Sequence, residues 1–511
     1  MRSLKSFRNM FFSVLSNVIT IFIGFIVQAV FLKHLGSEYL GINGLFTNIV
    51  SMLAIVDLGI GTAIIYNLYK PVASNDTEKI KSLMAFYRKS YTRIAMAVLA
   101  VGLLVVPFLG IIVGKNSITD SIYIIYALFL LDASLSYVLS YKRSILYADQ
   151  KNYIMSIIHI VYLFVMNSLL LLILYKTQNY LLFLGTKIVM RFIENLAIYM
   201  IADRRYSYLR DKDVKPLDKE TKDDIFIKVR GLMYHKIGYF ISSGSDNIII
   251  SLFLGGVKTV GYYVNYHTII FAVTTMIGQA FSAITSSIGN LLVESKKSKK
   301  YEVYEKINFL NFWIAGFCAT CIFVIMESFI TIWIGSEYVL ARFVLIVLSI
   351  NCYLVIARNT MNSFKEASGI FHEDRFVPFI ESGVNIAFSI ILLKIFGLAG
   401  VFLGSILGVL VLHLYSYPKY IYCPLFGKGY MDYMKSFVKY FIVFITGLLL
   451  AYGSSLLITV DSNILKVLIN TVICVVVVNI FYIVLFYRSE EFKYFGWLLK
   501  KMKNKALRVE N

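Results

Sequence analysis

Fourteen stretches of roughly twenty or more predominantly apolar residues divide the chain, and about 20 such residues are what a helix needs to cross the hydrocarbon of a bilayer. Their approximate limits are 10–32, 40–66, 90–113, 121–141, 153–175, 179–202, 232–254, 260–290, 308–334, 339–364, 376–394, 398–417, 436–458 and 464–487. Several exceed 25 residues, which predicts tilt or extension beyond the lipid. None shows the short alternating pattern of a transmembrane β-strand. The chain therefore reads as an all-α polytopic membrane protein. With 58% of its 511 residues hydrophobic and 16% charged, against roughly 25% charged in an ordinary soluble domain, it is not a soluble enzyme, a nucleic-acid-binding domain or a disordered chain.

Charge tests the count independently. The net charge is +20, from 50 Lys and Arg against 30 Asp and Glu. With the N-terminus placed inside and the loops assigned alternately, 40 of the 50 basic residues fall on the cytoplasmic side, 7 on the outer side and 3 within spans. Cytoplasmic loops carry such an excess, so fourteen spans with both termini cytoplasmic is the expected topology. Most of the charge is then orientation signal facing anionic lipid, including the 203–236 loop and the tail with Lys500, Lys501, Lys503, Lys505 and Arg508. The first apolar run is too long for a signal-peptide core, and no small-residue cleavage site follows it. It reads as the first span.

The five cysteines imply no disulfide framework. Cys318 and Cys321 form a C-x-x-C inside an apolar run, with no second pair and no histidine at zinc spacing, so they read as packing and not as a metal site.

The sequence also repeats at an offset of about 220. Gly36 and Gly41 flank the turn into the second span, as Gly256 and Gly261 flank the turn into the eighth. Phe183-Leu184-Gly185-Thr186 is matched by Phe402-Leu403-Gly404-Ser405. A six-span unit used twice gives two parallel lobes, the arrangement in which a transporter places its substrate path between them. The expected division is a first lobe at 1–203, a cytoplasmic linker at 204–231, a second lobe at 232–420, two additional spans within 421–487 and a basic tail at 488–511.

Ionisable residues inside spans cost about 2.5–3.5 kcal/mol or more on insertion scales and are functional candidates for that reason. Asp57, Asp132, Glu194, Asp246 and Glu381 are read as ion-coupling groups or ion-pair partners. Span 6 carries Lys187, Arg191 and Glu194 on one helical face. Two like charges one turn apart are unfavourable, and Glu194 neutralises only one of them. The surplus charge must face water, a carboxylate on another helix such as Asp57 or Asp132, or an anionic substrate. Arg358 lies in span 10, with Asn351 and Asn362 on its face, and Asn385 one turn from Glu381 in span 11. His159, His267 and His413 read as hydrogen-bonded histidines near span ends. Arg88, Arg93, Arg230, His235 and Lys236 suit a basic cytoplasmic entrance for a phosphate head group, and ordinary positive-inside charge accounts for them as well.

Several chemistries lack their motifs. No G-x-x-x-x-G-K-[ST], H-E-x-x-H, G-x-S-x-G or potassium-filter sequence occurs. The 203–231 loop is too short for a catalytic domain. The expectation is a transporter and not an enzyme, without cofactor or metal, driven by an H+ or Na+ gradient, by the membrane potential or by consumption of product.

A resemblance is carried by Asp57-Leu58-Gly59-Ile60-Gly61, the run YNLYKP at 66–71, His235-Lys236, Asp246-Asn247-Ile248-Ile249-Ile250-Ser251 and Gly261-Tyr262-Tyr263-Val264-Asn265-Tyr266. Ser287-Ile288-Gly289-Asn290-Leu291 and Ala367-Ser368-Gly369 with Arg375 extend it to about residue 420. The chain resembles the Wzx-type polysaccharide transporters of the multidrug/oligosaccharidyl-lipid/polysaccharide (MOP) exporter superfamily. The resemblance implies a MATE-like fold of two six-helix bundles plus two C-terminal helices, in a bacterial cell membrane. It implies a flippase for an undecaprenyl-pyrophosphate-linked oligosaccharide, such as a capsule, exopolysaccharide or O-antigen-like repeat unit. A polysaccharide polymerase and assembly proteins are the implied partners, and no nucleic acid is. Lys187, Arg191 and Arg358 are then the residues to meet the anionic head. A peptidoglycan-precursor flippase and a multidrug or cation antiporter of the same superfamily are the alternatives.

Overall fold

The computed structural model describes residues 2–507 apart from positions 58, 59, 212, 371 and 459, and excludes the side chains at 2–14, 56, 62, 228, 230–232, 234–236, 239–240, 242–243, 286, 293–294, 499 and 502–507. Among the described residues there are helices and connecting turns but no strand. Helix is the form in which a lipid-embedded segment satisfies its own backbone groups. Ten helices are long and apolar enough to cross a membrane, or eleven when the segments Ile122–Val138 and Ser140–Ala148, bent by 42°, count as one span.

The expected fourteen are thus not all matched. Spans 1 and 2 run on as one helix, α1 (Arg2–Leu53), kinked at Gly36 with φ +83°. A straight helix of 52 residues would be about 78 Å long, far more than the roughly 30 Å of hydrocarbon, so the glycine kink divides it. Span 6 lies on α7 (Tyr180–Arg205) and span 7 on α8 (Lys219–Phe253). The charges of Lys187, Arg191 and Glu194 keep α7 below the apolarity of a plain lipid-crossing helix.

The chain forms two compact units, Met1–Val264 and Asn265–Asn511. The first holds α1, α2 (Ile60–Ser74), α3 (Thr77–Leu103), α4 (Ile122–Val138), α5 (Arg143–Ala148), α6 (Asn152–Lys176), α7 (Tyr180–Arg205) and α8 (Lys219–Phe253). It also takes the first turns of α9 (Val257–Glu294). Its division therefore falls later than the expected linker, because α8 packs on α1. A Cβ on Gly41 would meet the Val257 carbonyl, and one on Gly261 would meet the Ser37 carbonyl. The two glycines that the 220-residue offset pairs thus lie against each other, and only a residue without a side chain lets the backbones approach so far. The second match is less symmetric: Gly185 faces open space, whereas Gly404 is pressed against Ser389.

The 204–231 segment is also more than a linker. Leu217, Ile225 and Val229 are buried with Leu68, Leu83, Met84, Ile145 and Ile198 in one cluster. Ser82 Oγ donates to the Lys215 carbonyl at 2.8 Å. Asp218 caps α8 by accepting from Thr221 N at 2.8 Å and pairs with Lys79 of α3.

The second unit holds α10 (Lys297–Trp333), α11 (Arg342–Ala357), α12 (Asn359–Ser368), α13 (Val377–Phe396), α14 (Leu398–Val411), α15 (Tyr430–Leu456), α16 (Asn463–Ile473), α17 (Asn479–Phe486) and α18 (Glu490–Leu507). Between α14 and α15 the chain makes eleven residues of π-helix, Leu412–Tyr422. Spans 13 and 14 (α15, and α16 with α17) pack on α10. There Tyr482 fills the space beside Gly316 and Gly447, and Trp313 Nε1 donates to Asn479 Oδ1 at 2.8 Å. All five cysteines are free thiols.

Candidate functional site

The charges of α7 find partners on the helices around it. Arg191 Nη1 lies 3.0 Å from Asp132 Oδ2 of α4, and the Tyr162 hydroxyl of α6 is also within its reach. Glu194 does not neutralise either cation of its own helix, contrary to the sequence expectation. It is buried, with Oε1 2.9 Å from His159 Nδ1 of α6 and Oε2 3.6 Å from Arg143 Nη2 of α5. Arg143 also donates to Asn195 Oδ1 at 2.6 Å. Neighbouring helices thus supply closer partners than a residue one turn away. Lys187 feels both Arg191 and Asp132, and among the described residues no acid lies within ion-pair distance of it.

Asp57, the other partner considered for span 6, sits elsewhere. It ends the single turn Ala54–Asp57 and interacts with Tyr87, Tyr91 and Tyr137. Those rings form an edge-to-face chain, with centroids 4.3 and 5.5 Å apart. Asp246 of α8 interacts with Tyr263.

In the second unit Arg358 occupies the break between α11 and α12. Its Nη1 is 3.7 Å from Glu381 Oε1 of α13. Asn351 lies on α11 and Asn362 on α12, which follow each other in one apolar span, Arg342–Ser368. Asn362 Oδ1 accepts from the Tyr417 hydroxyl of the π-helix at 2.8 Å. Asn385 donates to Ser405 Oγ at 3.3 Å, and buried His413 is 2.9 Å from the Tyr433 hydroxyl through Nδ1. Asp374, buried, takes both Lys365 and Ser416.

Arg88 and Arg93 line a cavity of about 930 Å³ in the first unit. Its other basic residues are Lys81, Lys89, Lys142 and Arg210, with Asp203 and Asp211 as its acids. Lys142 is 2% exposed, pairs with Asp203 and stands 3.7 Å over the Tyr199 ring. Arg210 Nε donates to the second Asp203 oxygen at 2.7 Å. The hydrogen bond from Lys142, aided by Arg210, holds the Asp203 carboxyl below its usual range. Lys81 meets Glu78 and, at 3.2 Å, Asp211. Arg88, Lys89 and Arg93 have no ion-pair partner among the described residues. The side chains of Arg230, His235 and Lys236 lie outside the described residues.

Sequence reasoning missed Arg143, Lys142, Asp203 and Arg210. Each stands in or beside a loop whose charge is ordinary orientation signal, and only the closeness of three segments distinguishes them. Among the described residues no group of three or more His, Cys, Asp and Glu is arranged to hold a metal.

The family model described as "Polysaccharide biosynthesis protein" matches residues 6–286. No curated protein matches the chain. Among solved structures, "Lipid II flippase MurJ, inward closed conformation" is similar, with 14% identity, 94% of this chain and 99% of that one covered, and a TM-score of 0.65. A structure described as an inward-facing multidrug resistance MATE family transporter of the MOP superfamily has 14% identity, 77% and 91% coverage and a TM-score of 0.63. A point mutant of the Vibrio cholerae MATE transporter VcmN has 14% identity, 80% and 94% coverage and a TM-score of 0.56. At these identities the likeness is one of fold.

Proposed function

The chain belongs to the polysaccharide biosynthesis protein family, and from that premise we propose that it is a flippase. It moves an undecaprenyl-pyrophosphate-linked oligosaccharide from the cytoplasmic to the outer leaflet of a bacterial cell membrane. The multi-pass helical fold, shared with flippase and transporter structures, supports transport. The observation that carries the substrate class is the sign of the charge. Among the described residues Lys187 has no acid at ion-pair distance within the spans, and a cavity with six basic and two acidic side chains lies among segments that orientation assigns to the cytoplasm. A sugar-diphosphate head does not enter hydrocarbon unaided, and it needs cations along its way. Access would alternate between the faces, with the lipid tail left in the bilayer. Lys187 and Arg191 in the first unit, and Arg358 in the second, are the proposed cations. An H+ or Na+ gradient is the proposed drive, with Asp57, Asp132, Asp246 and Glu381 as the groups that would sense it.

The test uses purified protein in liposomes carrying a labelled undecaprenyl-pyrophosphate oligosaccharide and an added glycosidase. The protein is expected to make the inner-leaflet pool cleavable. A pool that stays protected, with a cationic dye exchanged for protons, would replace this reading by the antiporter. Activity on a peptidoglycan precursor alone would replace the substrate.

A further inference from the structure

We propose that the basic cavity of the first unit is a docking site for a diphosphate group, separate from the cations inside the spans. It rests on the flippase reading for its biological ligand, but the site itself stands on geometry. Three segments far apart in sequence converge on it: one face of α3, the Tyr141–Lys142 turn, and the end of α7 with the loop that follows. These are the basic stretches that orientation places in the cytoplasm. Charge that served orientation alone would need only to lie on that side. Here it is gathered into a concavity, where low-dielectric walls focus the field on whatever enters.

The charge there divides into two sets. Lys81, Lys142 and Arg210 are matched to Glu78, Asp203 and Asp211, and so build the walls. Arg88, Lys89 and Arg93 are exposed and without ion-pair partners among the described residues. They share one face of α3 and span about 7.5 Å of its axis. That length suits two linked phosphates better than one. Arginine forks bind phosphate oxygens in pairs. The cavity of about 930 Å³ is near the top of the range, roughly 300–1,000 Å³, that encloses small ligands, so a diphosphate would not fill it. The remaining wall carries Tyr141 and Tyr199, edge to face with centroids 6.3 Å apart, an amphipathic surface beside which the first sugar would lie.

The experiment is calorimetric titration of the full-length protein in nanodiscs of neutral lipid with inorganic pyrophosphate, in the wild type and in Arg88→Gln/Arg93→Gln. One site is expected, weakened at least tenfold in the double variant and partly restored in Arg88→Lys/Arg93→Lys. Lys296→Gln, an exposed cation of the loop before α10, should bind as the wild type does. An unchanged melting temperature for the double variant shows that it folds. No binding by the wild type, or equal binding by the double variant, overturns the site. Competition by undecaprenyl pyrophosphate assigns the site to the lipid-linked head. Binding of free pyrophosphate without that competition keeps the site and assigns it to a soluble diphosphate. Competition by phosphatidylglycerol vesicles as strong as by undecaprenyl pyrophosphate overturns the diphosphate assignment in favour of a general anionic-lipid surface. Loss of flipping with retained pyrophosphate binding would sink the flippase reading alone. Flipping without pyrophosphate binding would sink this site alone.

Discussion

The charges inside the spans and the charges of the basic cavity obey different rules. Within the spans, Arg191 has Asp132, Arg358 has Glu381, and Glu194 has Arg143 and His159. In the cavity, Arg88, Lys89 and Arg93 line the wall, exposed and with no such partner among the described residues. The difference follows the medium. A lone charge in hydrocarbon is expensive, so helices that carry one insert with its counter-charge. At the water interface an unpaired cation is hydrated at little cost, and it stays available to a ligand. Lys187 is the exception among the span cations, lacking an acid at ion-pair distance among the described residues.

The largest test of this contrast is Asp132→Ala, which would strand Arg191. Breaking a buried pair costs roughly 3–5 kcal/mol. Because Arg191 is 36% exposed, the loss should be nearer about 2–3 kcal/mol. It would be read as a lower melting temperature in detergent, and Asp132→Arg combined with Arg191→Asp should recover much of it. An unchanged melting temperature for Asp132→Ala would mean that the span charges are as independent as those of the cavity, and the contrast would fail.

Lys187→Leu sharpens the same contrast with the opposite sign. Removing a cation with no acid at ion-pair distance among the described residues should leave stability unchanged or raise it by about 1 kcal/mol, since the apolar side chain inserts more readily. Translocation of the labelled lipid should fall by tenfold or more. A variant that loses stability and transport together would show Lys187 to be a structural charge like Arg191.

The sequence made the class of fold legible because apolar length and charge asymmetry are summed over hundreds of residues. The glycines Gly41 and Gly261 were singled out by the 220-residue offset, and their mutual contact is something the offset alone does not predict. The span count was less legible, since Gly36 lets two crossings run as one kinked helix and the charges of α7 disguise a third. Pairing was the least legible. Asp132 and Arg191 are 59 positions apart in the chain, and nothing local distinguishes that partnership from Asp57, whose actual neighbours are tyrosines. Helical spacing placed Glu194 beside Lys187 and Arg191, yet spacing knows nothing of Arg143 and His159 arriving from other helices. The cavity was half legible: Arg88 and Arg93 were singled out by charge, but its walls come from a helix face, a turn and a helix end that no periodicity connects.

The smallest effect concerns those walls. Asp203 joins Lys142 at the end of span 4 to Arg210 in the loop after span 6, and both cations favour its ionised form. Its carboxyl therefore titrates lower in the folded protein than the roughly 3.9 of a free aspartate. A depressed value means that the stabilisation is fully present above about pH 4 and is lost as the pH falls through the folded value. The carboxylate is partly exposed, so the contribution should be on the order of 1 kcal/mol or less. The check is the difference in melting temperature between the wild type and Asp203→Asn, followed from pH 8 downwards. That difference should hold steady to about pH 4 and close below it. If it persists in acid, the clamp is shape and not charge, and the cavity's walls would then be built without the ion pairs that set them apart from Arg88, Lys89 and Arg93.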